Sequence, residues 1–274
     1  MPGTLIVCAG PIGNLSDAPP RLADALASAA VVYAEDTRRA RTLLDHLGVT
    51  TPTRSYFAGN ELERAAEITA RLEGGETVAV LTDAGTPGIS DPGLTAVRAA
   101  VAAGAAVTGI PGPSAVTLAI AVSGLAADRF VFEGFLPRRG GDRSARIGEI
   151  AGEGRAVVLF AAPSRLAADL SDLAAAHQTD RDVVVCREMT KLHEETWRGT
   201  LAEAAIHWAE RGVKGEVTVV LGPQKDEEPD LESAVAAAKA LIAGGSTPSR
   251  AVRETAEVYG VSRRALYERV IRHG

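Results

Sequence analysis

Cysteine, methionine and tryptophan each occur only twice in the 274 residues, and aromatic residues make up 4% of the chain. Cys8 and Cys186 lie far apart, each inside an apolar run. That usage excludes a disulfide framework and a cysteine-based metal site; both read as reduced core thiols of a cytoplasmic protein. Charges or Gly/Pro interrupt every apolar stretch before it reaches membrane-spanning length. The start, Met1-Pro2-Gly3-Thr4, has no basic segment and runs directly into a strand pattern, so no signal peptide is expected. The formal net charge of −6 argues against nonspecific nucleic-acid binding by the whole surface, while leaving room for a local basic site. Also missing are the G-x-x-x-x-G-K-[ST] phosphate loop, the G-x-G-x-x-G dinucleotide fingerprint and the G-x-S-x-G nucleophile elbow. His193-Glu194 is followed by Trp197 where a zincin needs histidine, so no metal is expected. With neither metal cluster nor nucleophile elbow, group transfer from a bound organic donor becomes the attractive chemistry.

Glycine and proline are plentiful, and their placement is informative. The run Thr77–Leu81 breaks into Thr82-Asp83-Ala84-Gly85-Thr86-Pro87-Gly88-Ile89-Ser90-Asp91-Pro92-Gly93. Thr4–Cys8 likewise opens into Ala9-Gly10-Pro11-Ile12-Gly13-Asn14, and Ala105–Thr108 into Gly109-Ile110-Pro111-Gly112-Pro113-Ser114. Such loops at strand ends bring bare backbone close to a ligand, and three of one type suggest three walls of one cleft.

The first half alternates short β-type runs with alanine-rich helical stretches, which argues for a mainly parallel sheet with helices on its faces. Strands are expected at Thr4–Cys8, Val31–Ala34, Thr77–Leu81 and Ala105–Thr108. A second unit begins near Phe130, less regularly spaced, with a mixed sheet expected. The fold class is therefore α/β, with two α/β domains at 1–124 and 125–223. A polar linker follows, and three short helices at 231–274 fit a helix-turn-helix around Tyr259-Gly260-Val261. The plain alternative is a small helical appendage that packs or dimerises. Arginines cluster at Arg38, Arg39 and Arg41, at Arg138, Arg139, Arg143 and Arg146, and again in the tail.

Several of these segments occur as an ordered set: Pro11-Ile12-Gly13-Asn14-Leu15, Ala34-Glu35-Asp36-Thr37-Arg38, Asp83-Ala84-Gly85-Thr86-Pro87 with Ile89-Ser90-Asp91-Pro92-Gly93, and Pro111-Gly112-Pro113-Ser114-Ala115. They continue through Phe132-Glu133-Gly134-Phe135-Leu136-Pro137-Arg138, Arg187 to Glu195, Arg198-Gly199-Thr200-Leu201 and Lys214-Gly215-Glu216. Together they resemble the small-subunit ribosomal RNA (cytidine-2′-O)-methyltransferases, a branch of the tetrapyrrole methylase superfamily, over about residues 3–223. The resemblance implies S-adenosylmethionine held between two α/β domains, usually in a homodimer. It also implies methyl transfer to a cytidine ribose of 16S rRNA within the 30S subunit. By motif position it places Ala84, Gly85, Gly88, Ser114 and Ala115 on the methionine and sulfonium side, and it counts Pro11 among the cofactor-binding residues. Phe160, Ala161, Met189, Gly215, Glu216 and Val217 then border the adenosine, although Phe160 and Met189 read equally well as plain core.

A ribose hydroxyl is a weak nucleophile, so a base or a charge-tuned hydrogen bond is expected. Candidates inside the matched motifs are Glu35, Asp36, Glu61, Lys191 and Glu194. Lys191 acts as base if its pKa is depressed and otherwise steers phosphate. Asp36 beside Arg38 and Arg39 is alternatively a surface ion pair at a helix start. Asn14 either contacts the acceptor ribose or caps the helix that follows. Arg38, Arg39, Arg138, Arg139, Arg263 and Arg264 would meet the RNA backbone. Three departures from the family pattern are visible: Gly10 in place of threonine, Phe57-Ala58-Gly59-Asn60-Glu61 in place of a histidine-containing stretch, and Ser164 where histidine is common. A mechanism resting on those histidines cannot operate here. Two other readings stand beside this one: a corrin-precursor methylase, which needs a broad apolar acceptor cleft, and a nucleic-acid-binding regulator, which the low positive charge disfavours.

Overall fold

The computed structural model describes residues 1–176, 181–224 and 231–272. Residues 1–224 pack as one compact unit, and the described residues 231–272 belong to a second.

The first unit holds two five-stranded sheets. Sheet one takes β1 (Thr4–Cys8), β2 (Val31–Ala34), β3 (Thr53–Ser55), β4 (Thr77–Leu81) and β5 (Ala106–Ile110) in the order β3-β2-β4-β1-β5, all parallel. Helices α1 (Pro20–Ser28), α2 (Thr37–His46), α3 (Glu61–Glu73) and α4 (Leu94–Ala102) cross between the strands. The central strands are buried on both faces, which is why β2 and β4 read as continuous apolar runs rather than alternating ones. The short strand β3 carries Thr53-Arg54-Ser55 on a sheet edge and has no apolar period, so no periodicity marks it in the linear chain.

Helix α5 (Ala115–Ser123) leads into sheet two: β6 (Phe130–Phe135), β7 (Ala156–Ala161), β8 (Asp182–Arg187), β9 (Glu195–Thr200) and β10 (Val217–Leu221). Its order is β6-β7-β10-β8-β9, with only β6 and β7 parallel, the mixed sheet expected. Helices α6 (Gly141–Ala151), α7 (Leu166–Ala176) and α8 (Leu201–Ala209) complete it. Thr200 and Glu203 form a reciprocal capping box that starts α8 sharply after β9.

Each sheet packs against its own helices, and a fourth cluster joins the halves: Ile12, Val116 and Ala119 from the first with Val158, Val184, Cys186, Met189 and Val220 from the second. Several charged groups are structural. Arg143 pairs with Asp169 and Asp172, and Arg146 with Glu133 and Glu149, so two arginines of the 138–146 cluster serve the fold. Arg181 is fully buried and donates to the carbonyls of Gly222, Ile150 and Arg155. Arg198 donates to the carbonyls of Val122 and Ser123, placing a cation at the C-terminal end of α5. Both cysteines are free and buried, and burial pushes the Cys8 thiol up to about 12.

The second unit holds α9 (Leu231–Ala243), α10 (Pro248–Tyr259) and α11 (Arg263–Arg272) around a small core of Ala234, Ala238, Val252, Ala256, Val261, Leu266 and Val270. Gly260, left-handed at φ +65°, closes α10, as the helix-turn-helix reading requires. Among the described residues no helix is long and apolar enough to cross a membrane.

Candidate active site

In a parallel sheet every strand ends on the same side. Because β4, β1 and β5 are neighbours, the three Gly/Pro loops that follow them emerge side by side. Gly10 and Gly85 are stitched by a backbone hydrogen bond of 2.9 Å from the Gly10 amide to the Gly85 carbonyl. Gly85 sits at φ +70°, a left-handed turn that favours glycine, and a Cβ at Gly112 would fall 3.0 Å from the Ala9 carbonyl oxygen. These close approaches shape one wall of a cavity of about 410 Å³, within the range of sites for small organic ligands. The opposite wall comes from β7, the segment 188–191 and the start of β10.

The cavity is chemically divided. Ile12, Val116, Phe135, Phe160 and Met189 give it apolar surface, while Glu35, Asp83, Asp91 and Glu216 bring four carboxylates and Arg39 one cation. Phe160 meets both Phe132 and Phe135 edge-on or tilted, so its ring is locked rather than loose. Backbone strain gathers here as well. The three non-glycine residues with left-handed backbone among the described residues are Ser90, Glu188 and Thr190, in the two segments that supply Asp91 and Met189.

The expected donor-side residues Ala84, Gly85, Ser114 and Ala115 all line the cavity, as do Phe160, Ala161, Met189, Gly215, Glu216 and Val217. Pro11 and Gly88 stand beside the lining; the Gly88 amide instead bonds the Pro92 carbonyl and tightens the 88–93 loop. Ile12, Asp83, Thr86, Ile89, Ser90, Asp91, Val116, Phe135, Ala162, Pro163 and Thr218 line the cavity without having been singled out in the sequence. Most stand inside the quoted motifs, but nothing in a linear motif says which member faces inward.

The five candidate acid–base residues separate. Glu35 lines the cavity at the end of β2, where burial raises its pKa, the Asp83 amide lowers it, and the Asp83 charge raises it again. Asp36 lies outside the lining: it caps α2 by accepting from the Arg38 amide and pairs with the Arg38 guanidinium, which holds it well below the usual carboxylate range. Glu61 accepts from the Tyr56 hydroxyl at 2.9 Å and from the Gly93 amide at 3.2 Å, and so anchors the 88–93 loop. Lys191 lies against Gly13 and bonds Glu188 at 2.8 Å and Glu216 at 3.1 Å. Burial disfavours its ammonium, but the two carboxylates outweigh that and hold its pKa above the ordinary lysine value. The depressed lysine that a base would need is absent. Glu194 is exposed and accepts from the Thr190 amide.

Among the residues expected to meet RNA, Arg39 lies at the cavity, 3.5 Å from Asp83. Arg38 is exposed and paired to Asp36; Arg138 and Arg139 are exposed with no ion pair to any described residue. Asn14 caps the single 3₁₀ turn Leu15–Asp17 through the Ser16 amide. Arg263 and Arg264 are exposed on α11, the latter paired with Glu268.

A parallel sheet joined to a mixed sheet, with glycine-rich strand ends facing a half-apolar cavity, defines a class. The family profile of the Tetrapyrrole (Corrin/Porphyrin) Methylases matches residues 4–205. The chain belongs to this methylase family. It is 46% identical over 272 residues to "Ribosomal RNA small subunit methyltransferase I" of Mycobacterium tuberculosis (strain CDC 1551 / Oshkosh), covering 98% of this chain and 95% of that protein. It is 42% identical over 269 residues to the protein of the same name from Synechocystis sp. (strain ATCC 27184 / PCC 6803 / Kazusa), covering 97% and 96%. Its fold is similar to that of uroporphyrin-III C-methyl transferase from Thermus thermophilus complexed with S-adenyl homocysteine, with a TM-score of 0.58, 18% identity, and coverage of 80% of this chain and 97% of that one.

Proposed function

We propose that this protein transfers the methyl group of S-adenosylmethionine to the 2′-hydroxyl of a cytidine in 16S rRNA of the small ribosomal subunit. The observation that carries the reading is identity above 40% along nearly the whole chain to relatives named as small-subunit rRNA methyltransferases. The cavity fits the donor on physical grounds. Its carboxylates suit a cationic sulfonium, its glycine-lined wall lets backbone reach the methionine end, and the Phe160 and Met189 side offers an apolar slot for adenine. Ala84, Gly85, Ser114 and Ala115 would hold the methionine part. Phe160, Ala161, Met189, Gly215, Glu216 and Val217 would hold the adenosine. When bound, the donor supplies a methyl group already activated by its sulfonium, so this chain's work is positioning and proton removal.

A polyanionic acceptor suits Arg39 at the cavity, with the exposed Arg38, Arg138 and Arg139 of the same unit as phosphate contacts; in the C-terminal unit the exposed Arg263 and Arg264 would also meet phosphate. In this reading a second copy of the chain covers exposed apolar surface. The edge strand β5 leaves Ala106–Gly109 exposed on both faces, and α5 is apolar around its circumference yet keeps Val122 exposed. The test is transfer of labelled methyl from S-adenosylmethionine to 30S subunits from cells lacking the protein, followed by nucleoside mass spectrometry. A labelled 2′-O-methylcytidine is expected. Donor binding without RNA labelling would overturn the acceptor and move it to a tetrapyrrole-like molecule.

A further inference from the structure

The cavity carboxylates differ in one respect: what each is already bonded to. Glu35 accepts from the Asp83 amide. Asp83 accepts from the Asp36 amide at 2.9 Å and faces the Arg39 guanidinium at 3.5 Å. Glu216 is paired with Lys191. Asp91 alone among the four has no hydrogen bond or ion pair to any described residue. Outside the lining, Asp36, Glu61 and Glu194 are each committed to a cap or a loop amide.

Asp91 stands in a constrained loop. It follows Ser90, held at φ +62°, and precedes Pro92, whose carbonyl accepts from the Gly88 amide to close the loop. Gly93 at the loop's end is tied to Glu61. On the other side the loop abuts β6, where a Cβ at Gly134 would lie 3.1 Å from Ser90 Oγ. A loop pinned at both ends in a strained conformation is suited to hold a side chain against a ligand.

We infer that Asp91 is the catalytic residue that receives the acceptor hydroxyl's proton, an inference that rests on the ribose reading above. The hydroxyl proton passes to a carboxylate oxygen of Asp91, and the acceptor oxygen's electron pair forms the new bond to the methyl carbon. The electron pair of the broken carbon–sulfur bond stays on sulfur, and Asp91, half-buried, then returns its proton to solvent.

Its surroundings suit that task. Burial raises its pKa first, and the charges of Glu35 after β2, Asp83 after β4 and Glu216 before β10 raise it further, to about 6. Arg39 in the lining is engaged by Asp83, and Lys191, outside the lining, by Glu188 and Glu216. A base poised near the working pH is ionised yet still basic enough to accept a proton.

The test is D91N, which keeps shape and removes basicity. It is measured as kcat for methyl transfer to 30S subunits, as Kd for S-adenosylmethionine by calorimetry, and by carbon-13 titration of the Asp91 carboxyl in donor-free protein. The expected result is a fall in kcat of about a hundredfold or more, with Kd changed less than threefold. The wild-type kcat should lose activity below a pKa near 6, and the same value should appear in the carboxyl titration. Retention of kcat within fivefold overturns the inference. So does a large loss of donor affinity at unchanged kcat, which makes Asp91 a donor contact, or a carboxyl that titrates in the ordinary range. If wild-type protein labels no RNA, the ribose reading falls, while the carboxyl titration still decides whether Asp91 is tuned as a base.

Discussion

Replacing Tyr56 or Glu61 separates holding the site from doing its chemistry. Helix α4 begins at Leu94 after Gly93, which has no side chain to cap it. Two groups from the preceding crossover do the work instead. The Tyr56 hydroxyl accepts from the Ala96 amide at 3.1 Å and donates to Glu61, whose same carboxylate oxygen accepts from the Gly93 amide. Tyr56 is fully buried, so Tyr56→Phe strands the Ala96 amide and removes a hydrogen bond to a charged acceptor. The cost should be about 2–3 kcal/mol, since each effect alone is worth roughly 1–3. Glu61→Gln keeps an acceptor oxygen in place and should cost about 1 kcal/mol or less. The two changes share a hydrogen bond, so a double-mutant cycle should show a coupling of roughly 1 kcal/mol. Urea unfolding of the wild type, both single variants and the double variant measures this, provided the denaturant slope stays constant. Function should divide in parallel: Glu61→Gln retains kcat, whereas Glu61→Ala frees the 88–93 loop and weakens both donor binding and transfer about tenfold. A Glu61→Gln variant that is stable and binds donor but transfers no methyl would refute the reasoning and make Glu61 the base.

Three further outcomes are expected. Asp91→Asn should stabilise the fold above pH 6: the folded-state pKa is raised, so the folded protein binds more protons than the unfolded chain between about 4 and 6 and loses stability as pH rises through that window. Because the group is only half-buried, the gain should be about 1–2 kcal/mol at pH 7.5 and vanish near pH 4; equal melting behaviour at both values would count against it. Gly13→Ala would set a Cβ 2.5 Å from Lys191 Cε at a backbone φ of +149°, so Lys191 should swing off Glu188 and Glu216, which a loss of transfer above tenfold at near-normal donor affinity would reveal. Arg263→Ala with Arg264→Ala should raise KM for 30S subunits severalfold and leave kcat intact; an unchanged KM would make the α11 face structural.

Much of this was legible in the linear chain because it depends on local backbone chemistry. Thr4–Cys8, Val31–Ala34 and Thr77–Leu81 are strands over the residues their patterns mark. The three Gly/Pro loops read as one cleft, and they are one, since a parallel sheet sends successive strand ends to the same edge. The adjacency of β4, β1 and β5 was not legible, because strand order is set by crossover connections. Nor was β3, whose polar residues on an edge strand carry no period.

Charge was where the sequence misled most easily. Arg143 and Arg146 look like the same basic cluster as Arg138 and Arg139, yet the first two are bonded into the fold and the last two are exposed. Glu61 and Lys191 carry functional groups that base chemistry uses, but partners from distant segments occupy them. Asp91 stands in Ile89-Ser90-Asp91-Pro92-Gly93, where nothing in the linear pattern sets it apart from a turn residue. Sequence alone determined the family, the two-part α/β architecture and the glycine-rich loops at the strand ends, because glycine, proline and apolar runs constrain the backbone wherever they stand. Only the tertiary structure decided which carboxylate faces the cavity without a partner, because pairing is a property of positions in space, reached here across separations of tens of residues.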